Sequence, residues 1–201
     1  MYNFLIVTGR FLILRKIKYQ EADLIIHALS EQGGKSSFMA RSALKSKKRF
    51  GGGALEPAQL VHLTYKVAKS SEQMHTLQEA QVLQDFKNIR RSYEHLELAL
   101  VAVDCVQKVS QEGEQHSEGL FNLLGHCLKA IEKNQNVLNL KLHFYLKFLW
   151  QQGVLTPEDW MKIYLKTPLA SSDDLQVSPL DLARIPWLEN IVQNYLKTAS
   201  V

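Results

Sequence analysis

Three groups of side chains in this 201-residue sequence have the chemistry to act on a ligand: seven histidines with two cysteines, two adjacent carboxylate pairs, and a dense run of cations. The first group is scattered. His27, His62, His75, His95, His116, His126 and His143 include no pair at the spacing of a helical zinc motif. Cys105 and Cys127 form no C-x-x-C. His126 adjoins Cys127, but helix neighbours diverge by about 100°, and His126 reads as a surface histidine. The carboxylate pairs, Glu158-Asp159 and Asp173-Asp174, fall in a helix first turn and a loop, where capping and solvation account for them. No phosphate-cradling G-x-x-x-x-G-K-[ST] or G-x-G-x-x-G is present, and Ser42 and Ser46 lack a nucleophile elbow. No enzymatic site is read, and no cofactor is expected.

The cations are different. Gly33 to Pro57 holds Lys35, Arg41, Lys45, Lys47, Lys48 and Arg49, six of the chain's 24 Lys and Arg, against one acid, Glu56. Four cations in five residues cannot be buried without partners. This stretch is therefore a surface segment: either a solvated loop or a contact for an anionic partner. Lys35 and Arg41 fall on one face of a period-2 strand, and Arg15 and Lys16 could extend the track. Phe50 closes the run, where a nucleobase could stack. Phe38 alternates inward with Ser36 and Ala40 and is assigned to the core. Gly51-Gly52-Gly53 reads as a flexible spacer that lets the loop fold back on the strand of Lys35 and Arg41. Charge is uneven along the chain: residues 1–80 carry net +6 and residues 81–201 net −2.

Five strands are expected to position these groups. Alternation places them at Phe11 to Lys18, Leu24 to Leu29, Lys35 to Arg41, Gln59 to Val67 and Gln73 to Ala80, with a hairpin turn at Lys69-Ser70-Ser71-Glu72. Five short strands with one long connection fit a small closed barrel, because closure removes exposed edges. After about Val82 the period becomes helical. A stripe of Leu96, Leu100, Val103, Val106 and Val109 marks one helix. Ser117 reads as the N-cap of the next, Val137 to Trp150 as an apolar central helix ended by Gly153, and Thr156-Pro157 and Ser178-Pro179 as further starts. Pro186 is expected to bend or interrupt the last helix. The expected fold is α+β: an N-terminal five-stranded OB-fold barrel over 1–80, then an all-α domain over 81–201. The cysteines read as buried small hydrophobes in a reducing cytoplasm. The N-terminus does not read as a signal peptide, and no run has membrane-spanning length.

The order Tyr19-x-Glu21-x-Asp23, Gly33-Gly34-Lys35, Ala40-Arg41, Lys45-Ser46-Lys47-x-Arg49-Phe50 and Leu55-Glu56-Pro57 resembles the N-terminal domain of the bacterial RecO family. Ser117 to Gly153 is similar to that family's helical region. The resemblance covers roughly residues 8–153, and more weakly Glu189 to Leu196. It implies an OB-fold that binds single- and double-stranded DNA, and a DNA repair and recombination mediator that anneals strands. Its implied partners are RecR, with which it helps load RecA, and the acidic tail of single-stranded DNA-binding protein. Many family members carry a four-cysteine zinc module after the helix that ends here at Gly153. This chain has no cysteine beyond Cys127, so packing by Trp160 and Tyr164 is expected instead, without metal. The alternatives are a protein-interaction adaptor and an RNA-binding OB-fold protein.

Overall fold

A computed structural model describes residues 5–32, 34–51, 53–70, 73–113, 118–133 and 136–199. The chain divides into two compact units: Met1–Asp85 with Ser110–Phe121, and Phe86–Val109 with Asn122–Val201.

The first unit is a closed five-stranded barrel. Its strands are β1 (Ile6–Tyr19), β2 (Asp23–Ser30), β3 (Lys35–Ala40), β4 (Leu60–Lys66) and β5 (His75–Gln84), ordered β1-β2-β3-β5-β4 around the barrel. This is OB-type closure. All pairings are antiparallel except β3 with β5, a parallel seam limited to Phe38 opposite His75 and Met39 opposite Thr76. The interior is filled by alternate residues, among them Phe11, Ile13, Ile26, Phe38, Val61, Leu63 and Leu77. Phe38 lies edge-on to Phe11 at 5.3 Å and to Tyr65 at 5.0 Å. A register shift between Ile13 and Arg15 breaks the alternation of β1. Arg15 is consequently exposed, although strict period-2 counting puts it on the same face as buried Phe11 and Ile13.

The long connection between β3 and β4 carries a single helical turn, α1 (Lys47–Phe50). Phe50, Ala54 and Leu55 belong to the barrel core, so this connection is held against it rather than swinging free. The glycines are accordingly part of a packed turn, not a spacer. A Cβ on Gly51 would lie 2.4 Å from the Lys47 carbonyl oxygen, and Gly53 has φ +74° and accepts a hydrogen bond from the Glu56 amide. Gly52 lies outside the described residues, as do Gly33 and the expected turn residues Ser71 and Glu72.

The second unit is built on α2 (Tyr93–Val109), α3 (Glu118–Lys133), whose first turn is counted with the barrel unit, α4 (Val137–Gln151), α5 (Lys162–Lys166), α6 (Pro179–Leu182) and α7 (Ile185–Ala199). Asn136 caps α4 by accepting from the Asn139 amide, and Ser178 caps α6 by accepting from the Asp181 amide. The expected cap Ser117 is outside the described residues. On α2 the buried residues are Leu98, Ala99, Ala102, Val103, Cys105 and Val106; Val103 and Val106 of the expected stripe are among them, while Leu100 is 47% exposed, so the buried face is rotated part-way from the expected stripe. The helix expected from Thr156 is shorter than its start signals suggest. A 3-10 turn at Asp159–Met161 leads into α5, which stops before Thr167-Pro168 because proline keeps the preceding residue extended. Pro186 does not interrupt α7. It sits in the first turn, where no backbone donor is needed.

His143 organises the segment after α4. Its Nδ1 accepts from Ser172 Oγ at 3.2 Å, and its Nε2 donates to the carbonyls of Tyr164 (2.7 Å) and Thr167 (3.0 Å). Lys147 Nζ reaches the Leu165 carbonyl at 2.8 Å. Trp160 and Tyr164 do pack here: Tyr164 is buried and donates to Asp181, and the Arg184 guanidinium lies 4.0 Å from the Trp160 ring centre. Three hydrogen bonds from His143 and Lys147 to backbone carbonyls, and one between His143 and the Ser172 hydroxyl, thus tie 164–172 to α4. Cys105 and Cys127 are both buried. Among the described residues no helix is long and apolar enough to cross a membrane.

Candidate nucleic-acid interface

The cationic segment is shaped by the residues around it. Ser42 has φ +52°, a left-handed conformation costly for a residue with a Cβ. Asp23 holds it by accepting the Ser42 amide at 2.7 Å, and the Ala22 carbonyl accepts from the Leu44 amide at 3.0 Å. The turn after β3 is therefore pinned to the β1–β2 connection. The acids and apolar residues of the quoted motifs, Asp23, Leu55 and Glu56, do structural work. Leu55 fills the core, and Glu56 pairs with Lys16 at 2.5 Å.

The nine expected contact residues separate on this frame. Lys45, Lys47 and Lys48 are exposed on α1 and its approach, and Arg41 is exposed at the end of β3. Among the described residues none of these four pairs with a carboxylate. Arg15 is exposed on β1. Lys16 is half-buried and already paired with Glu56, which weakens it as a phosphate contact. Arg49 is half-buried and engaged: Nε donates to Ser46 Oγ at 3.0 Å, Nη2 donates to the Arg41 carbonyl at 2.8 Å, and the guanidinium lies 4.8 Å from the Phe50 ring centre. It braces the turn. Phe50 is a correction. It is 8% exposed and packed in the barrel core, so its ring offers no face to a base. It follows five polar residues in sequence, but the one-turn helix rotates it inward.

Lys35 and Arg41 line two clefts beside the β3–β5 seam. Arg41 lines one of about 460 Å³ with Lys66, Lys69, Gln73, Met74 and Thr76. Lys35 lines the other, of about 430 Å³, with His27, Ser37, Gln73, Met74 and His75. Gln73 and Met74 belong to both, so the clefts adjoin. Lys66 and Lys69 were missed as contacts by reading the sequence. Barrel closure is what carries them to Arg41, since it seats β5 and its preceding turn against β3. A reading that followed the parallel seam could have found them. In the second cleft, burial lowers the pKa of both His27 and His75, with the Glu112 carboxylate opposing that effect at each. Both imidazoles are thus biased to the neutral form. The His75 Nδ1 accepts from the Ala68 amide at 3.1 Å, which places the ring proton on Nε2. Among the described residues no group of three or more His, Cys, Asp or Glu is arranged to hold a metal ion.

The arrangement can neutralise a run of phosphates without reading bases: exposed lysines on α1, Arg41 with Lys66 and Lys69 in a cleft, and Lys35 beyond it. A family model described as "Recombination protein O N terminal" matches residues 5–86. The chain is 34% identical over 150 residues to the DNA repair protein RecO of Desulfatibacillum aliphaticivorans, covering 74% of this chain and 57% of that protein. It is 32% identical over 157 residues to the RecO of Syntrophus aciditrophicus, covering 78% and 59%. Against the RecO of Desulfosudis oleivorans it is 30% identical over 177 residues, covering 86% and 66%. The matched region thus spans 57% to 66% of the length of these relatives.

Proposed function

Because the chain belongs to the RecO family, we propose that it binds single- and double-stranded DNA, anneals complementary strands and, with RecR, assists RecA loading during DNA repair in the cytoplasm. The observation that carries this reading is the set of exposed cations Arg41, Lys45, Lys47 and Lys48, which have no carboxylate partner among the described residues, beside a cleft lined also by Lys66 and Lys69. DNA binding is assigned to the barrel region 1–80. The acidic tail of single-stranded DNA-binding protein is assigned to the helical region 81–201, and association with RecR to a surface away from the basic loop. Arg15 contributes at the edge of the track. Lys16, Arg49 and Phe50 serve the barrel instead.

Salt dependence tests the reading. If about five phosphates are neutralised, log K against log salt on single strands should have a slope of about −3 to −4. Replacing Lys45, Lys47 and Lys48 together by alanine removes three contacts, so the slope should flatten by about 2, equally on all sequences. Stability should change little, because these charges are exposed. Annealing of strands coated by single-stranded DNA-binding protein should weaken in step. An unchanged slope in the folded triple variant would mean that the run is only a solvated face.

A further inference from the structure

The second cleft already contains an anion that belongs to the chain. Among the described residues β5 pairs with β3 only at Phe38 and Met39, so β5 does not cover the edge of β3 near Lys35. Residues Gln111–Gly113, on the connection between α2 and α3, take that edge. The Lys35 amide donates to the Gln111 carbonyl at 3.0 Å, and the Gly113 amide donates to the Lys35 carbonyl at 3.3 Å. This docking delivers the Glu112 carboxylate into the cleft, where Ser37 Oγ donates to it. Ser37 has one proton and gives it to Glu112, so His27 Nδ1 is the donor in its 2.8 Å contact with Ser37 Oγ. A short chain of donors, His27 to Ser37 to carboxylate, therefore converges on one anion position beside Lys35.

Resting on the DNA-binding reading above, we propose that this cleft is a backbone-phosphate site for a nucleic-acid strand and that Glu112 is its built-in competitor, occupying the position until a strand displaces it. A phosphodiester oxygen accepts the same Ser37 hydrogen bond and the same field from Lys35. The described backbone bonds between this loop and the strand are the two hydrogen bonds to Lys35. With both imidazoles biased neutral, the Glu112 carboxylate opposes the positive field that Lys35 and Arg15 place on this cleft, and removing it makes the cleft more cationic. The cleft adjoins the Arg41, Lys66 and Lys69 cleft through Gln73 and Met74, which makes the two sites consecutive positions for one strand.

The test is Glu112→Gln in the full chain, with a fluorescent thymidine 20-mer titrated at several salt concentrations. Glutamine keeps an acceptor for Ser37 and removes only the charge. One unit charge roughly 5 Å from a phosphate is worth a factor of about four in affinity at water's dielectric, so binding should tighten about four-fold. The salt slope should steepen by about 0.7, one further phosphate on a single strand. Glu79→Gln, an exposed acid of β5 outside the cleft lining, is the control and should leave both unchanged. If wild type binds with the expected slope and Glu112→Gln binds identically, the competitor role is wrong and the DNA-binding reading stands. Equal tightening by Glu79→Gln reduces the effect to net charge and also overturns it. If neither wild type nor Glu112→Gln binds at low salt, the DNA-binding reading itself fails.

Discussion

The pH response of the helical unit should be dominated by His143. The imidazole is fully buried and neutral, and burial, reinforced by nearby Lys147, pushes its pKa down from 6.5 to about 4. The unfolded chain therefore binds a proton that the folded chain refuses across that window. Stability is highest above about pH 6.5 and falls as pH drops toward 4. Linkage with these two values gives a loss of about 2 kcal/mol between pH 8 and pH 5 from this one residue. His143→Gln deletes the titration and leaves at least one of the Tyr164 and Thr167 carbonyls short of a donor, at a cost of about 1–3 kcal/mol at pH 8. The variant should thus be less stable than wild type at pH 8, with the gap closing by about 2 kcal/mol at pH 5. All three tryptophans, Trp150, Trp160 and Trp187, lie in the second unit, so urea denaturation followed by tryptophan fluorescence reports this unit. His27 and His75 are also held below the usual histidine value, but they are common to both proteins and cancel in the difference. Parallel stability losses in wild type and variant between pH 8 and pH 5 would refute the reasoning.

Phe50→Ala should cost about 3–5 kcal/mol in thermal or urea unfolding monitored by far-UV circular dichroism, and leave the DNA salt slope of the folded protein unchanged. A stable variant with weakened binding would restore Phe50 to the interface. Gly51→Ala forces a Cβ to within 2.4 Å of the Lys47 carbonyl oxygen, so the α1 turn must shift; a loss of about 1–3 kcal/mol is expected, and an unchanged melting temperature would contradict the packed-turn description. Burial pushes the Cys105 thiol up to about 12 and the Cys127 thiol higher still. Neither should react with a thiol-specific disulfide reagent at pH 8 until urea is added, and stoichiometric labelling of the native protein would show that these sites open.

Much of the barrel was legible because its signal is local. Alternation at Ser36, Phe38 and Ala40, and at Val61 and Leu63, reflects the two faces of single strands, and the long β3–β4 connection announced itself by charge and glycine. The cations at Lys45, Lys47 and Lys48 were readable for the same reason: charge that dense has no buried solution. What period-2 counting could not supply was everything that depends on a neighbour distant in sequence. The bulge at Ile13 and Arg15 is set by pairing with β2, and it turned Arg15 outward. Phe50 and Arg49 look like ligand contacts beside three lysines. Only the closed barrel provides the cavity that takes the Phe50 ring, and only the turn at Arg41 provides the carbonyl that holds the guanidinium. Lys66 and Lys69 reach Arg41 only because β5 closes parallel on β3. Glu112 is 77 residues from Lys35 and meets it on an edge that exists because that seam is short. Residue type therefore determined which groups must meet water and which must leave it, since transfer free energy belongs to the side chain. The tertiary structure decided which of the water-facing groups share a site, because that depends on closure.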